Sequence, residues 1–200
     1  MTTRKPKAAP AKRPRNAATT RDAILASARR AFAQSGYDGA GVREIAAGAG
    51  VTAMLVNRYF GSKEALFAQV VEQTMTRDSV IAGGVMASPH AARDLAAALV
   101  AMTRADATPL DGFLITLHSA SSARAAQIGK EKIEAHHHAT VAKALRGRHA
   151  KERAALLLAT IAGFQVMRQM IGLSALADAK EGELTKLLEK MFATLIDAER

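Results

Sequence analysis

Apolar positions along this chain recur three and four residues apart, which is the spacing of one helical face rather than the alternation of a strand. Ile24, Leu25, Ala28, Ala31 and Phe32 predict a first helix. Thr19 and Thr20 are its N-cap candidates, Asp22 suits the dipole of its first turn, and Gly36 ends it. After the turn-forming Tyr37-Asp38-Gly39-Ala40-Gly41, two short helices are predicted, Val42 to about Ala47 and Thr52 to Tyr59, with Gly48 and Gly50 between them. Gly61-Ser62-Lys63-Glu64 ends the second and caps a helix from Lys63 to about Arg77, whose buried face is Ala65, Leu66, Phe67, Val70 and Val71.

The pattern restarts beyond Gly83-Gly84, with Ser88 and Pro89 as N-cap and N1 of a helix reaching Thr103. Further helices are predicted over Pro109 to Ser122, Ala123 to Leu145, His149 to Leu173, and from Gly182 onward. The last carries Leu184, Leu187, Leu188, Met191, Phe192, Leu195 and Ile196 along one stripe. The helix from His149 is apolar nearly all round. Its window Ala154 to Leu173 is long enough to cross a bilayer, but it holds Gln165, Arg168 and Gln169, and one central arginine costs about 2.5 to 3.5 kcal/mol on insertion. It is expected to be a buried helix of a soluble protein, with no membrane partner.

Composition sharpens this into an all-α expectation: 200 residues, 49% hydrophobic but only 4% aromatic, without tryptophan. The absence of cysteine excludes disulfides, a thiol nucleophile and cysteine-based metal sites. Seven of the ten net positive charges fall within the first 21 residues, on Arg4, Lys5, Lys7, Lys12, Arg13, Arg15 and Arg21, where no acid occurs. Residues 1–18 are therefore expected to be a disordered basic arm suited to a polyanion. That arm is interrupted by Pro6, Pro10 and Pro14 and has no apolar core of a signal peptide, so a cytoplasmic protein is expected.

Val42 to Tyr59 has the spacing of a helix-turn-helix. Ile45, Ala49, Val51 and Val56 supply the contacts that lock two helices at a steep angle, Ala46 is small where they pass closely, and Gly50 sits in the turn. The second helix then exposes Ala53, Met54, Leu55, Asn57 and Arg58 and has the width to enter a major groove. Asparagine pairs with adenine and arginine with guanine, while hydroxyls and lysine suit phosphate oxygens.

The ordered set Ile24-Leu25 to Phe32, Gly36-Tyr37, Arg43-Glu44-Ile45-Ala46, Ala49-Gly50-Val51-Thr52, Tyr59-Phe60 and Ser62-Lys63-Glu64-Ala65-Leu66-Phe67 resembles the DNA-binding domain of the tetracycline-repressor (TetR/AcrR) family of bacterial regulators. It covers about 55 residues, Thr19 to Gln73. The resemblance implies an N-terminal three-helix DNA-binding domain with its linking helix, residues 19–77, and a C-terminal helical ligand-sensing and dimerisation domain, residues 87–200. It implies that Arg43 reaches bases or backbone, that Asn57 and Arg58 face the groove, and that Thr52, Tyr59 and Lys63 contact phosphates. Tyr59 also reads as a core ring and Arg43 as a solvated surface residue. Two positions depart from the family pattern: Gly41 stands where a capping threonine is usual, and Asn57 where an aromatic or histidine is frequent, so no operator sequence carries over.

In the C-terminal half Phe113, Leu114, Leu117, Phe164, Met167 and Met170 are candidates to line a cavity, with His118, Gln165 and Arg168 as orienting groups. The methionines and phenylalanines equally suit core or dimer contacts. His136-His137-His138 cannot all face one ion, because successive helical side chains point about 100° apart; one of them is free to line a pocket with His118 or His149. No catalytic constellation stands out, and no metal or cofactor is expected. Three function classes fit: a repressor released from a near-palindromic operator by a small, largely apolar effector and acting as a homodimer; a DNA-binding regulator answering to a protein partner; and a helical enzyme with a coincidental hairpin.

Overall fold

The structure, a computed structural model, describes residues 17–77, 79–104, 107 and 111–197, and every regular element among them is helical. The first helix, α1 (Ala17–Gly39), begins earlier than the sequence suggests. Thr19 and Thr20 lie inside it rather than capping it, and Ala17 and Ala18 are helical instead of ending a disordered arm. Residues 1–16 of that arm lie outside the described residues. At Gly36 the backbone turns to φ 67°, ψ −175° and breaks the helix where the pattern predicts its end.

α2 (Val42–Ala49) is capped by Gly41, whose N–H donates to Glu44 Oε2 at 3.4 Å. Gly50 follows in the left-handed region at φ 66°, ψ 37°, and Val51 N–H returns to the Ala46 carbonyl at 2.9 Å. α3 (Ala53–Phe60) starts at Thr52, whose Oγ1 accepts from Leu55 N–H at 3.3 Å, and α4 (Lys63–Arg77) starts where Ser62 Oγ accepts from Ala65 N–H at 3.1 Å. Ile24, Phe32, Ile45, Val56, Leu66, Phe67 and Val70 form the core of this unit. The Phe67 ring meets Phe32 and Tyr37 edge-on at 5.0 Å.

That core does not stop at α4. Ile115 of α6 (Asp111–His118) and Ala125 and Ile128 of α7 (Ala123–Ile133) belong to the same cluster. A second cluster gathers α5 (Ala91–Met102), α8 (Ala139–Ala144), α9 (Ala150–Gln165) and α11 (Glu181–Ile196) around Leu95, Leu99, Val141, Leu157, Leu188 and Phe192. Wide π turns at Glu134–His138 and Val166–Met170 interrupt the predicted long helices, and a short α10 (Ser174–Ala177) precedes α11. α5 begins at Ala91 rather than Pro89, because the Ser88 hydroxyl accepts from His90 N–H and donates to the Asp94 carboxylate.

Within a single chain Ala154 to Leu173 is buried along one side only. Leu156, Met167, Met170, Ile171 and Leu173 are exposed, as are Leu187 and Met191 on α11. No helix among the described residues is long and apolar enough to cross a membrane. Two buried arginines donate to carbonyls at helix ends. Arg153 donates to the carbonyls of Arg146, Arg148, Leu195 and Ile196, and Arg168 donates to the Val100 carbonyl at 2.8 Å and Thr103 Oγ1 at 3.1 Å.

Candidate nucleic-acid interface

α2 is pinned to α1 by backbone approach and one buried bond: Ser27 Oγ donates to the Ile45 carbonyl at 2.8 Å. Gly48 permits this, since a Cβ there would lie 2.4 Å from Ser27 Oγ. With Ile45, Ala46, Ala49 and Val56 buried, α3 is held by one face and free on the other. The free face carries Met54, 81% exposed, with Asn57 and Arg58 beside it; Ala53 and Leu55 are half-buried, and Thr52 is exposed at the N-terminus. Arg43 on α2 is exposed. Tyr59 packs against the core and remains half-exposed. Lys63 Nζ lies 4.6 Å from the centre of the Tyr37 ring, which orients a cation at the N-terminus of α4.

The remaining candidates separate. Phe113, Leu117 and Gln165 line a cavity of about 370 Å³ bounded by α4, α6, α9 and the π turn at Glu134–His138. Leu114 packs into the first core instead, Phe164 into the second, and Met167 and Met170 are exposed to solvent. Arg168 is committed to the end of α5. His118 Nδ1 donates to the Ala33 carbonyl at 2.7 Å, so it belongs to the joint between α1 and α6. That joint also holds the Arg29–Asp111 ion pair at 2.6 Å, Tyr37 N–H on Ser119 Oγ at 2.9 Å and Ser122 Oγ on Asp38 at 3.2 Å. The helix that walls the cavity is thus also the helix that carries α1.

The histidine triplet fans out to three partners. His136 faces Glu72 at 3.9 Å, His137 reaches the Met75 carbonyl at 3.2 Å, and His138 reaches the Lys151 carbonyl at 2.9 Å. Among the described residues no group is placed to hold a metal ion. His137 also lines the cavity, beside Ile133. Burial, with the neighbouring His136 charge, holds its pKa below the ordinary 6.5, against the opposing pull of the Met75 carbonyl. The folded ring binds a proton less readily than the unfolded one, so stability is present above about pH 6.5 and is lost as the pH falls below it. In urea melts across that range His137→Gln should flatten the acid limb; an unaltered limb would assign the titration to other groups.

A helix-turn-helix on a three-helix support, joined to a helical bundle with a half-open cavity, defines a DNA-binding regulator. The description "Bacterial regulatory proteins, tetR family" matches residues 24–70, and "Tetracyclin repressor-like, C-terminal domain" matches residues 90–196. The chain belongs to the TetR family of transcriptional regulators, and this family and fold indicate a transcription factor rather than an enzyme. No curated protein matches it significantly. Similar solved structures include a transcriptional regulator from Rhodococcus sp. Rha1, 24% identical over 89% of this chain and 96% of that one, TM-score 0.62. The fatty acid degradation regulator FadR from Bacillus halodurans is 18% identical over 90% and 99%, TM-score 0.61. The multidrug binding protein EbrR, complexed with proflavin, is 19% identical over 88% and 99%, TM-score 0.58.

Proposed function

We propose that this regulator is a cytoplasmic homodimeric repressor that reads a near-palindromic operator with α3 and is released by a small, largely apolar effector. The observation that carries the reading is the free face of α3, where Met54, Asn57 and Arg58 stand on a helix anchored by Val56 and Phe60. Asn57 and Arg58 have the donors to read base edges, and the Met54 side chain offers an apolar surface to a thymine methyl. Arg43, Thr52, Tyr59 and Lys63, with Ala53 against the groove wall, position the helix on the backbone.

The dimer is formed by the exposed apolar faces of α9 and α11, which carry Leu156, Leu187 and Met191 and the Met167–Leu173 segment, more apolar surface than a monomer leaves in water. The effector occupies the cavity at Phe113, Leu117 and Gln165. FadR and EbrR, whose names specify fatty acid degradation and multidrug binding, support a small-molecule input for this fold. The cavity touches α4 at Thr74 and Met75 and α6 at Gly112 and Thr116, so a ligand that favours one placement of these helices shifts the DNA-binding unit.

Base and phosphate contacts are separable by experiment. Asn57→Ala and Arg58→Ala should change discrimination between operator and random duplex by about 1 to 3 kcal/mol, whereas Lys63→Ala should weaken both alike. Titration of labelled duplexes reads the difference; equal losses on operator and random DNA for the α3 variants would count against α3 as the reading helix.

A further inference from the structure

Two polar side chains on the cavity wall have unused hydrogen-bonding capacity. Gln165 closes α9 and is only 5% exposed, yet its side-chain amide has no hydrogen-bond partner among the described residues. Its amide atoms are not sealed off but open onto the cavity, where a bound molecule can reach them. The second is His137. A carbonyl only accepts, so its Nε2 carries the proton given to Met75, and Nδ1 of the neutral ring is an acceptor with no described partner. Around them the wall is mostly apolar, with Phe113, Ile161 and Val166 beside the hydroxyls of Thr74, Ser79 and Thr116, and no Asp, Glu, Lys or Arg occurs among its described residues. In so apolar a cavity an uncompensated ionic group would be costly.

We infer that the cavity takes an uncharged, largely apolar molecule bearing a hydroxyl or secondary amide, the group whose donor and acceptor match the vacant positions on Gln165 and His137. This rests on the effector reading above and narrows it to one ligand chemistry. It also gives that ligand a lever. Met75 lies in the last turn of α4, where helical carbonyls lack partners of their own, and His137 supplies one. A ligand bonded to the same ring competes with, or tightens, the hold on the end of the helix that leads to the DNA-binding unit.

The test uses 2-naphthol and its methyl ether, 2-methoxynaphthalene, which differ by the hydroxyl donor. Full-length wild-type protein, Gln165→Leu and His137→Phe are compared by thermal melts and calorimetric titration, and each preparation is also titrated with selected operator DNA. The wild type should bind the naphthol about tenfold more tightly than the ether, the worth of one hydrogen bond to a buried group. Both variants should lose that preference. Gln165→Leu should melt no lower than the wild type without ligand, because the amide makes no bond within the fold; a glutamine that served the fold would lower the melting temperature when replaced. Equal binding of the two compounds by the wild type, failure to bind either, or a lower melting temperature for Gln165→Leu would each overturn the inference. If operator binding persists in those cases the regulator reading stands; if folded wild-type protein selects no operator, it is that reading which fails.

Discussion

Replacing Gly36 by alanine is expected to lower stability by about 3 to 5 kcal/mol, a large share of what a domain of this size possesses. The backbone there sits at φ 67°, ψ −175°, a region all but closed to residues with a Cβ and costing about 1 to 3 kcal/mol. A Cβ would also lie 2.3 Å from the His118 carbonyl oxygen and 2.8 Å from its carbon, which are backbone atoms that cannot rotate away. Forcing α6 back adds about 1 to 3 kcal/mol and strains the Tyr37–Ser119 and His118–Ala33 bonds around it. Gly61→Ala is the control. Its φ is 77° and ψ −52°, but nothing lies within 4 Å, so only backbone strain of about 1 to 3 kcal/mol applies. Denaturant melts of the two variants compare them directly. Equal costs would mean that α1 and α6 do not meet at Gly36 as described.

The second large effect concerns association. Leu187→Asp combined with Met191→Asp should leave a folded monomer and lower operator affinity by about a hundredfold or more, since two linked reading heads bind with an advantage of that order over one. Both side chains are more than half exposed on α11, at 60% and 52%, so the fold does not need them. Sedimentation velocity at micromolar concentration and operator titration should change together. A double variant that still sediments as a dimer would place the interface elsewhere. One that becomes monomeric with unaltered affinity would mean that each chain reads DNA alone.

Local chemistry made the DNA-binding half legible. Thr52, Ser62, Gly36 and Gly50 act where their residue types predict, as caps and breaks, because those roles depend on backbone geometry within a few residues. The bundle was less legible because composition does not say which neighbour covers a face. The all-round apolar stretch from Ala154 reads as buried, yet the chain itself covers only the side bearing Leu157 and Ile161. Arg168 and His118 have the chemistry of ligand groups, but tertiary packing gives them to the end of α5 and to α1. The π turns have no signature in the apolar spacing, and it is one of them that carries His137 to both the cavity and α4.

The decisive measurement is selection of random-sequence duplexes by the full-length protein. The selected pool should be enriched in a two-fold-symmetric sequence with half-sites one helical turn, roughly 34 to 36 Å, or somewhat more, apart. Arg58→Ala and Asn57→Ala should each relax the preference at particular base pairs within every half-site. A pool that stays random, or an identical enriched sequence from both variants, would contradict sequence reading by α3.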